Sequence, residues 1–313
     1  MKVLFVNEPG VHELLPMEAC IPLMRDALSS LASGDVVLPL RNLVRLPDGS
    51  GLLGLMPGNH GTAYDSHQGV VMLFGVKHGE PLAILDATAI TAIRTAAASA
   101  AATDVLANED AGDLALLGSG TQARTHLAAM QAVRPLRRVR VWSRSRDHAE
   151  RFAREEGERR GLAIEVSSTA AEALRGADLA CTTTAASEPI LRGEWLAPGA
   201  HVNAVGACFA KSRELDTDAV RNARFFTDCR ESCLNEAGDF RIARDEGAID
   251  DAHLLGELGE VFLGRIKGRV SHDDITIYES LGIAIEDLAS AHYIHRRALE
   301  TGAGTWLEWG GPA

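Results

Sequence analysis

The sequence predicts an α/β protein: a doubly wound parallel sheet joined to an α+β domain with an antiparallel sheet. Three observations carry this. From Asp113 onward, short apolar strands alternate with helical segments, the rhythm of parallel strands joined by crossover helices. Before Asp113 the pattern is paired strands around turns, accompanied by an amphipathic helix and an alanine-rich one. At 313 residues the chain is longer than most single cores, so two domains are expected.

The N-terminus, Met1 to Glu8, reads as a short strand that turns acidic, not as a signal peptide. Pro16 to Ser33 carries Ile21, Met24, Leu28 and Leu31 on one helical face, and Gly34 ends the helix. Val36 to Leu46 and Leu52 to Met56 form a hairpin about Pro47-Asp48-Gly49-Ser50-Gly51. Val70 to Val76 pairs with Pro81 to Ala87, and Ala89 to Ala107 is an alanine-rich helix suited to close packing. The parallel strands are expected at Asp113–Leu117, Val139–Ser143, Ile164–Ser167, Asp178–Thr182, His201–Val205, Arg224–Thr227 and Ile275–Tyr278. Helices such as Asp147–Arg160 and Thr169–Gly176 lie between them. Leu281 to Thr301 is a last long helix, expected to leave the sheet and pack back on the N-terminal half. The division that follows assigns 113–287 to one domain and 1–112 plus 288–313 to the other.

The most informative stretch joins the first parallel strand to its helix: Leu114-Ala-Leu-Leu-Gly118-Ser119-Gly120-Thr121-Gln122-Ala123. This is the Gly-x-Gly-x-x-Ala fingerprint of a Rossmann-type, dinucleotide-binding unit. Gly118 turns the chain off the strand, Gly120 admits a pyrophosphate to the backbone, and Ala123 keeps the helix close to the sheet. The free N–H groups of the first helical turn then face the phosphates.

The end of the next strand discriminates between the two nicotinamide dinucleotides. An acid there would hold the ribose 2′-hydroxyl and repel a 2′-phosphate. The chain instead reads Ser143-Arg144-Ser145-Arg146, with no acid before Asp147. Arg144 with the hydroxyls of Ser143 and Ser145 suits a 2′-phosphate, so NADP(H) is the preferred cofactor and NAD(H) the second choice. The competing reading makes Arg144 and Arg146 solvated residues at a helix start. Thr182, Thr183 and Thr184, small and hydroxylated at a strand's carboxyl end, suit the ligand crevice of such a sheet.

Composition narrows the classes. A net charge of −12 argues against nucleic acid as a partner, and no apolar run is long enough to cross a membrane. Cys20, Cys181, Cys208, Cys229 and Cys233 are odd in number, scattered, and without a Cys-x-x-Cys pair, as in reduced intracellular thiols. The expected compartment is the cytoplasm, and no metal site is expected.

The chain resembles the ornithine cyclodeaminase/μ-crystallin family over nearly its whole length. The resemblance rests on Ala92-Ile93-Arg94-Thr95-Ala96-Ala97-Ala98-Ser99, Gly118 to Ala123, Gly199 to Gly206, Arg213-Glu214-Leu215-Asp216, and Ser280-Leu281-Gly282 before Glu286-Asp287-Leu288. It implies a homodimer whose substrate and dimerisation domain is built from the N-terminal half and the C-terminal helix. It further implies cofactor contacts from Ser119, Thr121, Gln122, Val205, Gly206, Ser280, Leu281 and Gly282. The substrate would be a small α-amino or imino acid, its carboxylate clamped by Arg41 and Arg94 so that the α-carbon faces the nicotinamide.

Two departures from the family pattern bear on chemistry. A lysine-bearing strand expected after Met56-Pro57 is missing: the chain runs from Gly58 to Gly69 without a lysine, so either substrate binding has shifted onto other groups, His60 or His67 being candidates, or this site is impaired. Cyclodeaminases place an aspartate two residues beyond the position of Gly206, and here that residue is Cys208. A thiol is a poor proton acceptor at neutral pH, so Cys208 is read as lining the pocket. The expected activity is NAD(P)-dependent reduction of a ketimine or imino acid, or oxidation of an α-amino acid. Ornithine cyclodeamination and cofactor binding without catalysis are the alternatives, and Glu214 or Asp216 would supply the acid if ammonia were released.

Overall fold

The computed structural model describes residues 1–36, 69–75 and 77–310, and the backbone alone of 42–45, 52–55 and 58–59. The first half comprises β1 (Lys2–Val6), α1 (Glu8–Leu14), α2 (Met17–Ser33), β2 (Asn42–Arg45), β3 (Leu52–Leu55), β4 (Gly58–Asn59), β5 (Val70–Phe74), β6 (Pro81–Asp86) and α3 (Ala87–Leu106). The second comprises β7 (Asp113–Leu117), α4 (Thr121–Val133), β8 (Arg138–Trp142), α5 (Arg146–Arg160), β9 (Ile164–Val166), α6 (Ala170–Leu174), β10 (Leu179–Thr182) and β11 (His201–Ala204). It continues through α7 (Thr217–Arg221), β12 (Arg224–Thr227), α8 (Arg230–Glu236), α9 (Gly238–Asp245), β13 (Leu254–Glu257), α10 (Leu258–Phe262), β14 (Thr276–Glu279), α11 (Ala284–Thr301) and β15 (Thr305–Glu308).

The eight strands β13-β12-β14-β11-β10-β7-β8-β9 form one parallel sheet. From β7 the chain winds outward through β8 and β9, then returns to β10 on the other side of β7. The reversal opens a crevice between the carboxyl ends of β7 and β10, where sheets of this kind take their ligands. Strand β13 was not anticipated. It is a short edge strand, and its Leu-Leu-Gly-Glu has too few residues to show a period.

The other sheet corrects an expectation. Strands β15-β1-β6-β5 form a mixed sheet, not an antiparallel one, because β1 and β6 run parallel. The chain between them passes through α1, α2 and β2 to β5, a connection whose direction the sequence pattern does not reveal. The edge strand β15 was also missed. Its Thr-Trp-Leu-Glu is mostly exposed and gains its identity from pairing antiparallel with β1. Strands β2, β3 and β4 are antiparallel, as the hairpin reading requires, while the turn at 47–51 lies outside the described residues.

Helix α11 packs on α2, α3 and β5, which is the expected return to the N-terminal half. The organising element is α3. Asp86 caps it by accepting from the Ala89 N–H at 2.9 Å, and its alanines allow α4 to approach closely. Among its buried residues, only Arg94 is charged. A polar seam locks it in place. Ser99 Oγ lies 3.0 Å from His126 Nε2, and His126 Nδ1 donates to the Gln122 carbonyl at 2.8 Å. Asn203 Nδ2 donates to Thr103 Oγ1 at 3.0 Å. Burial lowers the His126 pKa to about 4, so the ring is neutral and its Nδ1 proton serves the first turn of α4. One hydrophobic core runs from Leu4, Met24 and Leu85 through Ile90 and Ile93 to Leu116, Met130 and Phe152.

Candidate active site

The expected fingerprint has the geometry its residues imply. Gly118 sits at φ +123°, and a Cβ there would lie 2.6 Å from Thr183 Oγ1. Only glycine satisfies both the turn and the close approach of the next strand's end. A Cβ on Gly120 would meet nothing within 4 Å, so the space above it is open. Gly120 is the N-cap of α4 and offers no side-chain cap, leaving the N–H groups of the first turn for a ligand. Ala123 is fully buried against the sheet. These features fit a dinucleotide pyrophosphate.

At the end of β8, Ser143 is half-buried and Arg144 is exposed, with no ion-pair partner among the described residues. Ser145 has a structural role as well: it caps α5 by accepting from the His148 N–H at 3.4 Å. Arg146 pairs with Glu150 at 2.8 Å, which leaves Arg144 as the better placed cation.

Across the crevice, Thr182 is buried and Thr183 and Thr184 are half-buried. A buried carboxylate ties this edge together. Glu214 Oε1 accepts from the Thr184 N–H at 2.7 Å and the Thr184 hydroxyl at 2.6 Å, while Oε2 accepts from the Gly206 N–H at 2.7 Å. Glu214 thereby joins the ends of β10 and β11, including Val205 and Gly206. Asp239 in turn accepts from the N–H groups of Glu214 and Leu215 at 2.8 and 2.9 Å. Burial raises the pKa of Glu214, Asp239 and Glu279, and for the last two the charge of neighbouring acids raises it further. Asp216 caps α7 through the Ala219 N–H at 2.8 Å and also accepts from the Gly193 N–H at 2.9 Å. Both acids named for ammonia release are therefore engaged with backbone. Cys208 is half-buried in the loop after β11 and packs against the apolar cluster under it.

Ser280, Leu281 and Gly282 form a buried turn at the end of β14. Asp228, at the end of β12, accepts from the N–H groups of Leu281 and Gly282, each at 2.7 Å, and from that of Cys229 at 2.7 Å. Gly282 has φ +75°, and a Cβ there would stand 2.4 Å from Arg94 Nη1. The Arg94 guanidinium thus packs directly against the turn. It is only 6% exposed, and it donates to Glu286 from Nη1 at 2.8 Å and to Asp287 from Nε at 3.1 Å. Burial alone would lower the Arg94 pKa; Asp287 and Glu286 more than reverse this and raise it.

The structure therefore brings Arg94 and the 280–282 turn together beside the carboxyl edge of the sheet. Arg41, His60 and His67 lie outside the described residues, as does most of the segment from which the lysine-bearing strand is missing. Asp228 and the acid pair Glu286-Asp287 received no role from sequence. An acid closing a buried strand, as in Phe225-Phe226-Thr227-Asp228, was the available signal. Among the described residues no cluster suits a metal ion, and no helix is long and apolar enough to cross a membrane.

The parallel sheet and its glycine turn define a Rossmann-type dinucleotide-binding protein. The sequence profile of the ornithine cyclodeaminase/mu-crystallin family matches residues 54–302, and the chain belongs to that family. It is 38% identical over 298 residues to the mouse ketimine reductase mu-crystallin, covering 88% of this chain and 90% of the relative. Among solved structures, the Thermococcus litoralis Δ1-pyrroline-2-carboxylate reductase in complex with NADH and L-proline superposes with a TM-score of 0.92. Its identity is 33%, covering 97% of this chain and 99% of that one. An archaeal alanine dehydrogenase dimer with bound NAD also gives a TM-score of 0.92 at 28% identity, covering 99% of this chain and 100% of that one.

Proposed function

We propose that the protein is a nicotinamide-dependent reductase of small imino acids, preferring NADP(H) and running in reverse as an α-amino-acid dehydrogenase. The observation that carries the reading is the Arg94 guanidinium laid against the 280–282 turn beside the dinucleotide crevice. The relatives' ketimine and pyrroline-carboxylate reductase activities support it. When bound, the nicotinamide supplies or takes up the hydride. The chain's own residues do the rest. Gly118 to Ala123 receive the pyrophosphate, and Thr182 to Thr184, Val205, Gly206 and Ser280 to Gly282 line the crevice. Arg94, with Arg41, orients the substrate carboxylate, and Cys208 lines the pocket. Residues 113–287 form the cofactor domain, and 1–112 plus 288–313 the substrate and dimerisation domain.

The cofactor preference rests on Arg144. Mixed with a cyclic imino acid such as Δ1-pyrroline-2-carboxylate, the protein is expected to oxidise NADPH mole for mole. With L-ornithine and NAD(P) it is expected to release little ammonia. Arg144→Asp should reverse the order of NADPH and NADH affinities, because a charge-assisted contact of about 1.5–3 kcal/mol becomes a repulsion. Robust ammonia release without net change in nicotinamide absorbance would restore cyclodeamination. Equal NADPH and NADH affinities in the unmodified protein would remove the role given to Arg144.

The assembly proposed is a homodimer joined through the mixed sheet. Edge strand β5 exposes Val70, Met72 and Phe74 by 46, 45 and 50% on one face, an apolar row that an isolated chain would leave open to aggregation. Sedimentation at micromolar concentration should give twice the 33.4 kDa chain mass, and a 33.4 kDa species would contradict the assembly.

A further inference from the structure

Arg94 is not simply a cation waiting for a carboxylate. Two carboxylates, Glu286 at 2.8 Å and Asp287 at 3.1 Å, already hold it, and Asp228 contributes a third negative charge nearby. Asp228 is satisfied by backbone N–H groups, and Asp287 is partly exposed, its side chain 17% accessible. Glu286 differs from both. It is fully buried, Oε2 accepts from Arg94, and Oε1 has no hydrogen-bond partner among the described residues. With all three acids ionised, one guanidinium would face three negative charges, and neutralising the nearest of them lessens the repulsion of a carboxylate ligand.

We propose that Glu286 is held protonated on Oε1 and that this proton keeps Arg94 able to take the substrate carboxylate. The inference rests on the assignment of Arg94 as the carboxylate anchor and adds a positioning residue behind it. The surroundings of Glu286 agree. Arg94 faces it from α3, Asp228 from the end of β12, Cys20 from α2 and Tyr278 from β14, with Asp287 adjacent on α11. Arg94 supplies the one positive charge in this set. Burial raises the pKa of Glu286 to about 8, with Asp228 and Asp287 adding to the effect and Arg94 opposing it. Burial likewise raises Cys20 to about 12 and raises Tyr278, so neither adds negative charge at neutral pH.

Below about 8 the carboxyl is neutral and a carboxylate ligand binds without proton exchange. Above it, binding must take up a proton, so affinity falls by about tenfold per pH unit. The probe is pyrrole-2-carboxylate, which has no nitrogen titrating in this range, bound to the protein loaded with NADPH and measured by calorimetry. In the unmodified protein Kd should be flat near neutrality and rise above about pH 8 with that slope. In Glu286→Gln, which keeps an oxygen for Arg94 Nη1 and cannot ionise, Kd should stay flat. Should the variant fail to fold, the unmodified protein still decides the matter. Comparing buffers of different ionisation enthalpy at about pH 9 should reveal close to one proton taken up per ligand, and at about pH 6.5 none. No proton uptake at the higher pH, or an unchanged slope in Glu286→Gln, overturns the role of Glu286. Loss of the Arg94 assignment would appear separately, as undiminished activity when Arg94 itself is removed.

Discussion

Arg94→Ala is expected to lower kcat/KM for imino-acid reduction by about a hundredfold or more, because the α-carbon then loses its orientation toward the nicotinamide. The affinity for NADPH should change only a few-fold, since the proposed pyrophosphate site lies elsewhere, at the start of α4. The substitution also strips Glu286 and Asp287 of their cation. The buried Oε2 of Glu286 then loses its donor, at a cost of about 1–3 kcal/mol that a marginal fold would feel. Arg94→Lys is the companion variant. It keeps the charge but cannot serve Glu286 and Asp287 with a planar fork, so an intermediate loss of activity is expected in a protein that folds. Steady-state kinetics with NADPH saturating decide the point: activity in Arg94→Ala within a few-fold of the original would remove Arg94 from the substrate site.

The second large effect is expected at Glu214, which touches neither strand end as a ligand would but joins them. Its carboxylate receives the Thr184 N–H, the Thr184 hydroxyl and the Gly206 N–H. Glu214→Ala leaves these donors without their acceptor. These donors are half-buried and partly reached by water, so the variant should lose about 1–3 kcal/mol in all in urea unfolding. Glu214→Gln is gentler in volume but turns an NH2 toward one of the donors. The crevice wall should relax, and NADPH affinity should fall by about tenfold, roughly 1.4 kcal/mol. Thr184→Val, which deletes only the hydroxyl, provides the graded control. Unchanged NADPH affinity in Glu214→Gln would show that the crevice keeps its shape without this brace.

The legible parts were those that depend on local pattern. Asp113–Leu117 and Arg224–Thr227 are strands with the bounds expected of them, because buried parallel strands are short apolar runs with sharp ends. The Gly118 turn and Gly120 opening followed from what glycine alone permits. What stayed hidden depends on partners distant in sequence. β15 pairs with β1 across the length of the chain, and Asp228 reaches the 281–282 backbone. The Arg94 to Glu286 contact spans 192 residues, and nothing local to Glu286 marks it as fully buried. The parallel pairing of β1 with β6 is hidden for the same reason, since the two strands are separated by α1, α2 and β2 to β5.

The uninterrupted core through α3 bears on how the protein exchanges its ligands. Proteins that clamp a substrate by swinging one lobe against another need a joint where few contacts cross. Here the helix carrying Arg94 is wedged between the mixed sheet's half and α4, held by one hydrophobic core and by the buried Ser99–His126 and Thr103–Asn203 contacts. Ligand exchange is then expected to fall to the short segments at the crevice rim, the turns at 118–120 and 183–186, with the proposed substrate anchor and cofactor site moving together.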